Sequence, residues 1–262
     1  MDSIAIFLIT GAVAGLMAGL FGVGGGLIVV PALAWLLPRQ GVGDAVVMQS
    51  AIGTSLAVIG LTSISSMRAH QARGGVLWDV FWRLAPGIVV GSLIGAWIAH
   101  GLSGGALKRI VGVGALLVAV QMLIDAKPKT ARTLPGSAGL AATGGVIGAL
   151  SALIGIGGGS LTVPFLNWCN VDMRRAVGTS AACGVPIAWA GALGFAVNGL
   201  GAQGLAPWSI GYIDLAAFAG IAVMSVFTAP LGARLAHQLP PRVLKRSFAA
   251  FLALVGLRML LS

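Results

Sequence analysis

The sequence has very little charge and no glutamate. Charged residues make up 8% of its 262 residues, against roughly 25% in a typical soluble domain. Hydrophobic residues make up 58%, and the mean hydropathy is +1.00. Apolar runs longer than about 18 residues recur along the chain, and runs of that length are typical of transmembrane helices. These values exclude a soluble domain of appreciable size and predict an all-α polytopic membrane protein.

Residues that bind metals or carry out catalysis are also scarce. The two cysteines, Cys169 and Cys183, lie in apolar segments without the spacing of a metal site, and we interpret them as inert core thiols. No segment offers a His-Glu-x-x-His motif, paired aspartates or a serine nucleophile with a base in the same half. We therefore expect no intramembrane enzyme, no cofactor and no metal.

Basic residues outnumber acidic ones by 16 to 6, which gives a net charge of +10. They lie in predicted loops or at segment ends, where positive charge fixes the orientation of a membrane protein. No stripe of basic and aromatic residues is present on which nucleic acid would stack. No basic residue precedes the first apolar run after Asp2, so the start of the chain does not resemble a cleavable signal peptide. The expected partner is the lipid bilayer and not nucleic acid.

The hydropathy pattern divides the chain into two transmembrane repeats. The polar stretch 125–137, DAKPKTARTLPGS, is the one clear linker, and we place it in the cytoplasm between a first repeat (1–124) and a second (138–262). The apolar segments are 4–21, 27–37, 46–66, 78–100, 105–124, 138–154, 160–170, 176–198, 211–236 and 243–261.

The two repeats are copies of one another. The matching stretches are 11–35 with 144–168, 51–55 with 176–180, and 95–109 with 232–246. The first pair aligns without a gap and has 12 identities in 25 residues; the third has 8 in 15. Internal duplication therefore accounts for essentially the whole chain, and it is the hallmark of many transporters.

The number of membrane segments decides how the halves are oriented. Five segments in each half would invert the second half, whereas four, with each opening block counted as one broken helix, would leave eight spans and parallel halves. With five, 12 basic residues fall on one side and 4 on the other; with four, they divide almost evenly. Because basic loops stay in the cytoplasm, we expect inverted repeats with both termini outside.

Each repeat opens with a glycine triplet in apolar sequence. The segments that follow, 27–37 and 160–170, are too short to cross about 30 Å of hydrocarbon at about 1.5 Å per residue. We therefore expect a broken helix or a re-entrant hairpin near the midplane. Glycine permits positive φ and close approach to a ligand, and the proline that follows suits the first turn of a helix. By contrast, glycines four apart, as at Gly11 and Gly15, indicate helix packing.

A loop of unpaired amides that leads into a helix N-terminus is typical of anion sites. Ser160 and Thr162 add hydroxyls to the second block. The repeated Gly-Thr-Ser at 53–55 and 178–180 adds others, which equally suit bonds within or between helices. The candidate substrate-binding residues are Gly24, Gly25, Gly26, Pro31, Thr54, Ser55, Gly157, Gly158, Gly159, Ser160, Pro164, Thr179 and Ser180.

The paired G-x-G-G-G-x-x-x-V-P blocks, the repeated Gly-Thr-Ser and the chain length resemble the TauE/SafE family of sulfite and organosulfonate exporters. The resemblance covers the whole chain. It implies a multi-pass protein of the bacterial inner membrane that exports sulfite, a sulfonate such as sulfoacetate, or a related small anion. An uptake or bidirectional carrier of another organic or sulfur-containing anion, and a passive anion channel, remain alternatives.

The acidic residues are six aspartates, each in a loop or near a segment end. Proton- or sodium-coupled carriers usually keep a carboxylate within the membrane, and none is evident. An anion that leaves a cell with a negative interior gains about 2.3 kcal/mol per charge per 100 mV. We therefore hypothesise that the membrane potential drives export without a coupled ion.

Two pairs of basic residues are candidates for further roles. His100 and His237 share a repeat position and are candidates for proton sensing, and Arg68 and Arg174 are candidates for guiding anions. For both pairs we favour a structural role.

Overall fold

The computed structural model describes residues 2–21, 25–124, 133–236 and 241–261. Almost all of these residues are helical. The helices are α1 (Asp2–Phe21), α2 (Gly26–Leu36), α3 (Val47–Gln71), α4 (Trp78–Gly101), α5 (Gly104–Ile124), α6 (Ser137–Ile154), α7 (Gly159–Trp168), α8 (Met173–Asn198), α9 (Leu215–Ala236) and α10 (Pro241–Leu261). A 3₁₀ turn (Leu37–Gln40) follows α2, and a short antiparallel hairpin, β1 (Ser209–Ile210) with β2 (Ile213–Asp214), precedes α9.

Each apolar segment of the sequence corresponds to one helix, and the all-helical prediction is confirmed. Six of the described helices, α3, α4, α5, α6, α8 and α9, are long and apolar enough to cross a membrane. The predicted start of the ninth segment at 211 is wrong, because Gly211 takes a left-handed conformation (φ 53°) in the turn of the β1–β2 hairpin. Helix α9 therefore begins at Leu215.

Helices α3 and α8 form the centre of the molecule. Their apolar stretches are 83% and 67% buried, against 33–44% for the other four long helices. They run antiparallel. Gly53, nearer the start of α3, lies against Phe195 near the end of α8, whereas Gly60 lies against Trp189, which comes earlier in α8. Small residues at these positions let the helix backbones approach closely.

The outer helices pair across the halves. Helix α1 runs along α9 in the same direction, α4 runs along α6 in the same direction, and α5 packs against α10. The contacts that fix the two parallel pairs are Gly11 with Ile221, Gly15 with Ser225, Gly87 with Ala141, and Gly95 with Ala149. The repeat alignment equates α1 with α6, α3 with α8, α4 with α9 and α5 with α10. Exchanging the halves therefore turns the α1–α9 pair into the α6–α4 pair and maps the α3–α8 and α5–α10 pairs onto themselves.

Candidate functional site

The first glycine block joins two helices, one that starts and one that ends at the same end of the molecule. Helix α1 starts beside the start of α9. Helix α2 leads to the loop in which the Gly43 N–H donates to the Gly204 carbonyl, next to the same α8–α9 connection, at 2.9 Å. The Cβ position of Gly25 lies 2.9 Å from the Ala14 carbonyl oxygen, midway along α1. The chain therefore turns back at this block; Gly24 lies outside the described residues.

Gly25 is the N-cap of α2 and has φ 74°, a left-handed conformation that glycine adopts without the strain a side chain adds. Helix α2 has 11 residues and α7 has 10, about 15 Å each at about 1.5 Å per residue. The structure thus confirms that each block interrupts the helix and that the helix after it is short.

In the second block, a left-handed residue lies at the C-cap of α6. Helix α6 ends at Ile154, and Gly155, which follows it, has φ 73°. Gly158, the repeat partner of Gly25, has φ −54° and caps the start of α7. Gly158 is needed for close packing instead, since its Cβ position lies 3.1 Å from both the Ser180 carbonyl oxygen and the Ile187 side chain.

The prolines lie deeper in their helices than the sequence predicts. Pro31 and Pro164 are each the sixth residue of their helix and not part of its first turn, because α2 and α7 already begin at Gly26 and Gly159. A proline lacks the N–H that would bond the carbonyl four residues earlier. The carbonyls of Leu27 and Ser160 therefore lose that helical partner, one residue after the start of each helix.

The two glycine blocks touch each other. Gly26, the first residue of α2, lies directly against the carbonyl oxygen of Gly155 at the end of α6. The Ser55 hydroxyl of α3 donates to the same carbonyl at 3.1 Å. A Cβ atom on Gly155 would lie 2.6 Å from the Val30 side chain. All of these contacts are buried. The structure thus places two predicted residues of the first half, Gly26 and Ser55, against Gly155 of the second block, which was not among the predicted residues.

The hydroxyls of the two Gly-Thr-Ser repeats have different environments. The Thr54 hydroxyl accepts the Asp214 N–H at 2.9 Å, and the Thr179 hydroxyl accepts the Leu77 N–H at 2.9 Å. These bonds join helices of opposite halves, as one of the two predicted alternatives requires. Ser180, the repeat partner of Ser55, is fully buried, and its hydroxyl has no hydrogen-bond partner.

The burial of Asp214 was not predicted from the sequence. Its side chain is 2% exposed, and one carboxylate oxygen accepts the N–H groups of Ala216 and Ala217 at 2.9 and 3.1 Å. It therefore caps the start of α9. An aspartate immediately before an apolar run is a recognised N-cap signal, so the position at a segment end was predictable and the depth of burial was not.

His100 has a structural partner at the end of the molecule where α9 begins. Its Nδ1 atom lies 3.0 Å from the Tyr212 hydroxyl. Burial raises the pKa of that hydroxyl, which keeps it protonated and able to donate to the imidazole. His237 lies outside the described residues. Arg68 and Arg174 are exposed at the ends of α3 and α8, and both cysteines are buried.

A cleft of about 530 Å³ opens at the end of the molecule where α3 and α5 begin, away from the glycine blocks. Its polar lining comes from Asp44, Lys108 and Arg109, and its apolar lining includes Ala34 and Met259. Basic residues at this segment end were predictable; their convergence on a cleft depends on the packing of α5 against α10.

Comparison with known proteins identifies the family. The family model described as "Sulfite exporter TauE/SafE" matches residues 7–259. The chain belongs to the TauE/SafE family. It is 37% identical to a probable membrane transporter protein of Haemophilus influenzae over 98% of both chains. It is 27% identical to a probable membrane transporter protein of Methanocaldococcus jannaschii over 98% of this chain and 95% of the relative. No solved structure matches it.

This TauE/SafE protein is a membrane transporter and not an enzyme. Its apolar helices make it a multi-pass protein of the lipid bilayer, and its transport function implies a small substrate. The glycine blocks, which the family resemblance and the duplication both single out, are one of the places where the two halves contact each other.

Proposed function

We propose that this transporter exports a small anion, sulfite or a sulfonate such as sulfoacetate, across the bacterial inner membrane. The observation that carries the proposal is the contact between Gly26 and Gly155. It places two helix-breaking turns, one from each half, against each other inside the protein. Non-helical backbone at membrane depth is tolerated where it is buried in protein or lines a cavity, and in transporters such broken helices form the substrate site.

We further propose that the halves are inverted. Helix α4 begins beside Thr179 near the start of α8, whereas its repeat equivalent α9 begins beside Thr54 near the start of α3. Because α3 and α8 run antiparallel, α4 and α9 run in opposite directions. Both termini and the basic residues Arg39, Lys108, Arg109 and Arg258 then lie on one side of the membrane, and the other 12 lie with the linker. The positive-inside rule places the linker in the cytoplasm.

The substrate site that we propose lies between the start of α2 and the start of α7. The first-turn amides of a helix have no partner within that helix, and its N-terminus carries roughly half a positive charge. Two such termini from opposite halves favour an anion without any basic side chain. The residues assigned to this site are Gly25, Gly26, Ser55, Gly157, Gly158, Gly159, Ser160 and Ser180, with Thr54, Thr179, Pro31 and Pro164 as their support.

Efflux from proteoliposomes tests this function. Vesicles loaded with sulfite or sulfoacetate should show saturable efflux that is accelerated by unlabelled substrate on the opposite side, because a carrier exchanges substrate and a channel does not. Gly25→Leu and Gly158→Leu should abolish it. The matched control is Gly101→Leu, at a helical glycine beside which no atom lies within 4 Å.

The outcomes separate the alternatives. A folded wild-type protein that moves neither anion contradicts the proposed substrates. Flux that neither saturates nor exchanges indicates a channel, and substrate accumulation against the potential indicates uptake. Full activity in both leucine variants, with the same elution profile as wild type, would remove the glycine blocks from the site.

A further inference from the structure

Four buried hydroxyls lie around the second glycine block, and none has a hydrogen-bond partner. They belong to Ser151, Ser160, Thr162 and Ser180, which we call the hydroxyl cluster; all four are at most 6% exposed. The large majority of buried polar side-chain atoms in proteins are hydrogen-bonded. Four unpartnered donors beside a single loop therefore indicate a ligand or water that completes them.

The hydroxyl cluster draws on three helices. Ser151 is in the last turn of α6, and its carbonyl accepts the Ile156 N–H at 3.0 Å. Ser160 and Thr162 are in the first turn of α7, where the Thr162 N–H donates to the Gly158 carbonyl at 2.8 Å. The Ser180 carbonyl of α8 lies against Gly158. Each residue is thus within about one helical turn of the loop between α6 and α7.

The first half lacks this cluster although it carries the same glycine block. The residues aligned with Ser151, Ser160 and Thr162 are Ala18, Leu27 and Val29. The fourth partner, Ser55, donates its hydroxyl to the Gly155 carbonyl. The hydroxyls are therefore specific to the second copy and are not part of what the duplication keeps in both halves.

No charged side chain stands near the hydroxyl cluster in sequence. The stretches 46–66, 151–165 and 176–198, which supply α3 and the helices around the second block, contain no Asp, Glu, Lys or Arg. Within these stretches, the groups that can stabilise an anion are hydroxyls, backbone amides and the α7 N-terminus. The cost of removing an ion from water rises steeply with its charge, and the partial charge of a helix terminus offsets a single charge far better than a double one.

We infer that the hydroxyl cluster binds the head group of the transported anion and selects an oxyanion group with a single charge, such as a sulfonate or hydrogensulfite, over a dianion such as sulfate. The inference rests on the proposed function. The hydroxyls that flank the loop between α6 and α7 are available as donors to the oxygens of the head group, with the first-turn amides of α7 as further donors. The two halves therefore contribute unequally, and the second carries the polar contacts.

Transport by wild type and matched serine variants tests the inference. Labelled methanesulfonate, a monoanion, is the probe, and sulfate is the competitor of similar shape with two charges. Ser160→Ala and Ser180→Ala should each raise the half-saturating concentration about tenfold, the effect of losing one hydrogen bond to a charged group. Ser50→Ala is the control. Its hydroxyl is also buried and unpartnered, but it lies in the first turn of α3, at the end of the molecule that carries the α8–α9 connection, and its kinetics should match wild type.

The outcomes distinguish the two proposals. If wild type moves methanesulfonate or sulfite and both variants keep the wild-type half-saturating concentration, the hydroxyl cluster is not the site. Equal competition by sulfate and unlabelled methanesulfonate in wild type overturns the charge selectivity even if a variant fails to fold. If wild type moves none of these anions, the proposed function itself fails, and this inference fails with it.

Discussion

Thr54 and Thr179, the equivalent threonines of the two halves, each hold the start of a helix in the opposite half. Thr54 accepts the N–H of Asp214 and Thr179 that of Leu77, both at 2.9 Å. The two donors are themselves equivalent in the repeat, and each is the last residue before a helix, α9 and α4 respectively. The duplicated Gly-Thr-Ser sequence is thus used twice for one structural purpose.

Replacing Thr54 with valine should lower the stability of the protein. The substitution keeps the shape of the side chain and removes the acceptor, which leaves the Asp214 N–H buried and unpaired. Such a group costs about 1–3 kcal/mol. The measurement is the midpoint of thermal unfolding in detergent. Thr54→Ser keeps the hydroxyl and should lie close to wild type; a valine variant as stable as the serine variant would show that this bond contributes nothing.

Replacing Gly26 with alanine should be far more damaging than the addition of one methyl group suggests. The new Cβ atom would meet the carbonyl of Gly155, a backbone group that cannot rotate away, and overpacking of this kind costs about 1–3 kcal/mol or more. We expect a reduced yield of monodisperse protein and loss of transport. Gly101→Ala, in open space at the end of α4, is the control. Wild-type yield and transport in Gly26→Ala would contradict the tight contact.

The sequence predicted the helices well because each lies between polar or glycine-rich stretches. The interruption after α1 and α6 was also predictable, because a glycine triplet followed by Val-Pro leaves apolar segments that are too short to cross a membrane. The duplication added information that neither half carries alone, since a feature kept in both copies is more informative than one seen once.

The details of the site depend on contacts between residues that are distant in sequence. Such contacts could not be predicted from the sequence. Ser55 and Ser180 look alike in the sequence, yet Ser55 bonds the Gly155 carbonyl and Ser180 bonds nothing. The left-handed residue of the second block is Gly155 and not a member of the triplet. Pro31 and Pro164 suggested where the short helices begin, but packing of the glycines allows each helix to start five residues earlier.

Cysteine labelling should report the orientation of the chain. Arg73 and Gln203 are exposed in the α3–α4 and α8–α9 connections, at opposite ends of α8. In intact cells a membrane-impermeable maleimide should label Gln203→Cys, and it should label Arg73→Cys only after permeabilisation. Cys169 and Cys183 are buried, so the unmodified protein is the background control. Labelling of both variants in intact cells would contradict the proposed topology.

The membrane potential should drive export without a coupled ion, and transport should not need the negative charge of Asp214. This aspartate is the most buried acidic residue of the described chain, so it is the natural candidate for a coupling carboxylate. Its observed role is to cap α9, which a neutral asparagine oxygen also performs. Asp214→Asn should therefore keep near-wild-type transport, whereas Asp214→Ala should lose about 1 kcal/mol of stability with the cap.

The measurement is sulfite efflux from proteoliposomes under potassium diffusion potentials set with valinomycin, with sodium and pH equal on both sides. The initial rate should rise as the interior becomes more negative, equally in wild type and Asp214→Asn, because one charge crossing 100 mV gains about 2.3 kcal/mol. A rate that ignores the potential would contradict this mechanism. Transport that needs an imposed sodium or proton gradient, and that Asp214→Asn loses while staying folded, would instead assign the coupling site to Asp214.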